Sequence, residues 1–118
     1  MTITAPGAAD RIVAAVCAWP GVAEVAGSRG ERSLRVGRRE VGHLHGDRVA
    51  HFSFTRQLGE ELRAEGRVGP HPVFPDAPGM GARRIDGPED EADVIALMRR
   101  NYDRIVERYG IPQEPAAA

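Results

Sequence analysis

The chain has 118 residues, enough for one domain around one core. Its formal net charge of -1 excludes a global field drawing it to nucleic acid or an anionic membrane. All 16 basic residues are arginine, so a Schiff-base lysine is excluded while forked guanidinium contacts to anions are available.

The single Cys17 permits no intrachain disulfide and fits a reducing compartment. No apolar run approaches the roughly 20 residues of a membrane span, and no basic segment followed by an apolar run opens the chain. The expected location is therefore the cytoplasm of a bacterium, the GC-rich bias toward Arg, Ala, Gly and Pro pointing the same way.

Residues 1–9 are small and Ala/Pro/Gly-containing, a flexible lead-in. Asp10 caps a helix over 10–19 with Ile12, Val13 and Val16 facing the core, ended by Pro20-Gly21. Strands follow at 22–26 and near Leu34 and Val36, and Gly37-Arg38 turns the chain into a strand over 39–45. A strand over 48–54 completes the meander. Thr55 caps a helix over 56–65 stopped by Gly66, with Leu58 and Leu62 on one face. The proline-rich stretch 68–81 is extended or irregular, because proline lacks the amide proton that helices and central strands use. A short strand is expected over 82–85. Pro88 and the acidic run from Glu89 to Asp93 suit the start of a last helix reaching Tyr109. Residues 111–118 form a tail, so 10–110 is one domain. The class is α+β: an antiparallel sheet of about four or five strands with three helices packed mainly on one face.

Three of the four histidines, His43, His45 and His51, lie in one stretch that alternates in polarity about Gly46-Asp47. This reads as a hairpin, and its loop length decides which side chains share a face. A three-residue loop puts Val41, His43, His45, Val49 and His51 on one face and Leu44, Ala50, Phe52 and Phe54 on the other. A two-residue loop would set His43 and His45 beside Ala50 and Phe52. The longer loop separates apolar from polar more cleanly. In either case His43 and His45 point the same way.

Imidazole titrates near neutral pH and can take or give a proton there. His43, His45 and the later His71 are thus the candidate catalytic groups, with Arg35 or Arg39 across the sheet to hold an anion formed in the reaction. A metal is a further reading, with His51, His71 or Asp47 completing the set. Only His43 and His45 have a clear shared geometry, however, so no stoichiometric metal is expected. Cys17, on an apolar helix face, is read as core. Ser28, Ser33 and Ser53 lack a nucleophile-elbow context, and Gly79-Met80-Gly81 is no phosphate loop.

Trp19-Pro20-Gly21-Val22, the block from Arg39 to Asp47 with Gly42-His43-Leu44-His45-Gly46, Phe54-x-Arg56, Leu62-x-x-x-Gly66-Arg67, Pro70-His71-x-Val73-x-Pro75-Asp76 and Leu97-Met98-Arg99-x-x-Tyr102 together resemble the fungal-luciferase-like domain family. The layout is also similar to the YjbR-like proteins, in architecture only. The first resemblance implies a small-molecule site and, for the fungal members, oxidation of a hydroxylated pyrone by molecular oxygen through a high-energy intermediate without flavin. Where that family often has Trp after the Pro-Asp segment, this chain has Ala77-Pro78-Gly79-Met80-Gly81, so an aromatic wall from that position is not expected.

The resulting expectation is an oxidase or oxygenase acting on a phenolic or enolic molecule, with no organic cofactor and with molecular oxygen as co-substrate. Substrate contacts are expected from Arg39, Asp47, Asp76, Arg99 and Tyr102. The partner is a small-molecule ligand, not nucleic acid or membrane. A non-catalytic ligand-binding or protein-interaction module is the other reading.

Overall fold

The structure is a computed structural model and describes residues 5–112. The elements are α1 (Ala8–Cys17), β1 (Val22–Ala26), β2 (Arg32–Val36), β3 (Arg39–His45), β4 (Val49–Ser53), α2 (Arg56–Ala64), β5 (Met80–Arg84) and α3 (Pro88–Tyr109). The five strands form one antiparallel sheet in chain order, β1-β2-β3-β4-β5. The expected α+β architecture is what the structure has. No helix among the described residues is long and apolar enough to cross a membrane.

One core lies between the sheet and its helices. Ile12, Val13 and Val16 of α1, on the helix that packs against α3, join Val94, Leu97, Met98, Tyr102 and Ile105 of α3 and Leu34, Val36, Leu44, Ala50 and Phe52 of the sheet in one buried cluster. Cys17 packs against this core, where burial pushes its thiol pKa up. Asn101 is the polar residue within it. Its amide donates to the carbonyls of Val41 (2.9 Å) and Ser53 (3.1 Å), and its oxygen accepts from Arg104 (2.9 Å), so burial leaves no part of it unpaired.

Helix ends follow local chemistry with one exception. Thr55 Oγ1 accepts from the Leu58 amide (3.1 Å), as an N-cap should. Pro88 opens α3, with Glu89, Asp90 and Glu91 in its first turn. The exception is α1, which begins at Ala8 rather than at residue 10. Gly7 is its N-cap, and Asp10 accepts from the Gly7 amide from inside the first turn (3.2 Å). The lead-in expected over 1–9 is thus helical from residue 8, and residues 1–4 lie outside the described residues. So does most of the tail, residues 113–118.

The proline-rich segment is pinned at several points. Gly69 pairs with Ala82 of β5, the Gly79 carbonyl accepts from the Phe54 amide (2.6 Å), and Arg63 of α2 donates to the carbonyls of Ala77 (2.8 Å) and Met80 (2.9 Å). Gly59 lets α2 come this close. A Cβ there would stand 2.0 Å from the Pro78 carbonyl oxygen.

Candidate functional site

The hairpin decides the site. His45 pairs with Val49 and His43 with His51, so residues 46–48 form the three-residue loop. Gly46 takes φ +62°, the left-handed conformation in which a Cβ is costly. His43, His45 and His51 therefore share the sheet face away from the helices, while Leu44, Ala50 and Phe52 on the opposite face are buried in the core.

Val41 departs from the expected alternation. It is fully buried in the core and not on the histidine face. The cause is an irregularity between β2 and β3: Leu34 pairs with Gly42, but Arg35 already pairs with Glu40. The extra residue in β3 shifts the pleat. Glu40 thereby comes round to the side of Ser33 and His43. His43 Nδ1–H donates to Glu40 Oε1 (2.7 Å), Ser33 donates to Glu40 Oε2 (2.7 Å), and Arg35 donates to the Ser33 hydroxyl (2.9 Å). Burial alone would push the Glu40 carboxyl up. The bonds from His43 and Ser33 outweigh it and hold the group below the usual carboxylate range.

Four imidazoles lie in one cluster. Ring centroids are 4.9 Å apart for His43 and His45, 5.2 Å for His43 and His51, 4.6 Å for His45 and His51, and 4.5 Å for His51 and His71. Burial, then the neighbouring rings His71, His45 and His43, push His51 down to about 4. Burial, then His43 and His45, also lower His71. His71 Nδ1 accepts from the backbone amides of Val73 (3.1 Å) and Phe74 (3.4 Å), so the proton of its neutral ring sits on Nε2.

The cluster walls a cavity of about 550 Å³. Val73, Phe74 and Met80 face it from the proline-rich side, and Ser28, Arg29 and Glu31 of the β1–β2 turn from the other. Phe74, whose ring centroid lies 5.6 Å from that of His71, supplies an aromatic surface from a different position than the missing Trp.

Of the residues expected at the site, His43, His45 and His71 are brought together. The expected substrate contacts are not brought to them. Tyr102 is buried among the helices, its hydroxyl donating to the Pro20 carbonyl (2.7 Å) and its ring beside Trp19. Arg99 pairs with Asp103 (3.0 Å) and lies 5.1 Å from the Trp19 ring centroid. Both follow α3 to the opposite face of the sheet, so the last helix closes the back of the core and not of the cavity. Arg39, at the far end of β3, stacks over Tyr109 at 3.4 Å. Asp47 accepts from the Ala9 amide (2.9 Å), capping α1 from the hairpin turn. Asp76 is exposed on the proline-rich segment outside the cavity.

The sequence reading counted His51 only as a further metal ligand and missed Glu40 and Phe74. One signal for Glu40 was available. Val41 and Leu44 are apolar three positions apart, which a regular strand cannot place on one face.

Neither the comparison with curated proteins nor that with solved structures yields a match. The sequence model of the Luciferase domain family matches residues 38–101, from just before the histidine hairpin to the Asn101 anchor on α3. That span exceeds half of the chain and includes all four clustered histidines, and the chain belongs to the Luciferase domain family.

Proposed function

We propose that the histidine-lined cavity binds a small electron-rich phenol or enol and brings its anion to react with molecular oxygen, without an organic cofactor. The supporting observation is the convergence of His43, His45, His51 and His71 on one wall of a cavity of about 550 Å³, a size suited to a small ligand. His43, oriented by Glu40 through Nδ1, keeps the lone pair of Nε2 free. It joins His45 and His51 as acceptors toward which an acidic hydroxyl would turn. His71 offers the complementary Nε2–H donor to the oxyanion. Phe74 and Val73 give a flat ring an apolar surface to lie against. In the reaction a C–O bond forms between the enolate carbon and dioxygen, and the hydroxyl proton ends on the peroxide oxygen, so substrate plus O₂ is conserved. The lone Cys17 supports a reducing compartment, the cytoplasm, as its setting.

Oxygen uptake and ligand binding with a panel of phenols, pyrones and quinols test this reading. Uptake by the wild type that is lost in His45→Ala and His71→Ala, with both variants folded, supports it. Neither binding nor uptake with any compound overturns it.

A second reading, a non-catalytic binding or interaction module, is favoured by the exposure of Val73 (62%) and Phe74 (53%) beside the cavity. Binding without oxygen uptake, abolished by Phe74→Ala, would select it.

A further inference from the structure

We infer that His43, His45 and His51 form a binding site for one late first-row divalent transition-metal ion, with Glu40 orienting His43 from behind and one side of the ion left open to the cavity. This rests on the cavity being the functional site. With an ion bound, the three ring lone pairs would be taken by it, and the substrate oxygen would meet its open side and the His71 Nε2–H instead of the rings.

The geometry carries the inference. One ligand nitrogen from each of the three rings can be chosen so that all lie within 4.8 Å of one another. Ligand nitrogens of a tetrahedral zinc ion stand about 3.3 Å apart, given bonds near 2.05 Å. Contraction by about 1.5 Å at most, reachable by side-chain rotation, would close the site. The rings sit on the paired positions of a stiff hairpin, His43 opposite His51 and His45 two residues on. The expectation of no metal rested on two histidines with a shared geometry. The register of the hairpin supplies the third.

Hydrogen bonding points the same way. Among the described residues the histidine ring bonds are those of His43 to Glu40 and of His71 to the Val73 and Phe74 amides. No hydrogen bond among the described residues thus occupies the one available lone pair of the His45 or the His51 ring. A ligating imidazole commonly gives its other N–H to a carboxylate, which fixes the tautomer and raises the basicity of the free nitrogen. His43 has that arrangement with Glu40, and Ser33 and Arg35 hold the carboxylate in turn. A solvated row of polar side chains has no need of such a relay.

The donor set also selects the ion. Three imidazoles without a carboxylate suit zinc, iron, copper, cobalt or nickel and not magnesium or calcium. Neutral ligands leave the ion its full charge, which favours an oxyanion at the open position. His71 stands outside the ligand set, because its Nδ1 lone pair is taken by two backbone amides. Its Nε2–H is left as a donor.

The test uses the untagged, metal-stripped protein, titrated calorimetrically with Zn²⁺ and by visible absorption with Co²⁺. The expected result is one ion per chain with micromolar or tighter affinity and the visible bands of a low-symmetry Co²⁺ site. His43→Ala, His45→Ala and His51→Ala should each weaken binding about 100-fold or more. Glu40→Gln should weaken it about 10- to 100-fold, the range for an outer-shell partner. His71→Ala should stay within about threefold of the wild type, since no ligand is lost. His51 is buried, so if His51→Ala does not fold, the half-exposed His45→Ala decides. Absence of saturable binding, or equal loss in His71→Ala, overturns the inference. Oxygen uptake by stripped protein that binds no ion on titration overturns the metal site and keeps the oxidation reading. An ion held by these three histidines, with no uptake for any member of the phenol panel, supports the site and removes the oxidation reading.

Discussion

The two faces of the β3–β4 hairpin use alternate residues of the same backbone for opposite ends. On one side Leu44, Ala50 and Phe52 are fully buried in the core. On the other His43, His45 and His51 stand over a cavity roofed by the proline-rich segment rather than by a helix. The helical face secures the sheet by burying apolar area. The open face carries polar groups whose orientation the buried face has already set. Stability and site chemistry therefore fall on different side chains one residue apart, and substitution can separate them.

The largest effect on stability belongs to the covered face. Phe52→Ala should cost about 3–5 kcal/mol in denaturant unfolding, because the ring is fully buried and stacks on Phe54 at 5.1 Å. Asn101→Ala should cost about 1–3 kcal/mol by leaving the Val41 and Ser53 carbonyls without their donor. It also tests the bulge, since Asn101 holds the Val41 carbonyl. Unchanged stability in either variant would break the division of labour between the faces. Tyr102→Phe should cost about 1 kcal/mol, the worth of its bond to Pro20, and should leave ligand or metal binding at the cavity untouched. A loss of binding would bring α3 back into the site.

Acid stability sharpens the comparison from the helical side. Burial raises the Asp93 carboxyl, but hydrogen bonds from Arg67 and Arg83 outweigh it and leave its pKa lowered. A carboxylate lowered in the folded state adds stability that is fully present above its unfolded value near 3.8. That stability is lost as pH falls through the folded value. Asp93→Asn should therefore flatten the acid limb of the stability profile below about pH 4 while leaving cavity ligand or metal binding unchanged. An unchanged acid limb would show that Asp93 does not link β5 to α3 in solution. The smallest change in stability belongs to His45→Ala, within about 1 kcal/mol as for a substitution outside the core. The same variant should weaken metal binding about 100-fold or more and lose oxygen uptake. Unfolding of His45→Ala would make the open face a structural network and end the separation.

The amino-acid sequence by itself determined the features set within a few residues. Alternation about Gly46 specified the hairpin and the common face of His43 and His45. The Thr55 hydroxyl and the Pro88 start specified where α2 and α3 begin, because caps and periodicity act over one or two turns. Tertiary structure decided the rest. The bulge that brings Glu40 to His43 exists only in the pairing of β3 with β2, and the strand alone cannot express it. His71 reaches His51 because the proline-rich segment is tied to β5 and α2, contacts remote in sequence. Arg99 and Tyr102 fall behind the core because α3 must cover the apolar face of the sheet. Asp47 leaves the site because the N-terminus of α1 arrives beside the hairpin turn with an amide to satisfy. Each of these is a choice between surfaces that becomes defined only when the elements pack.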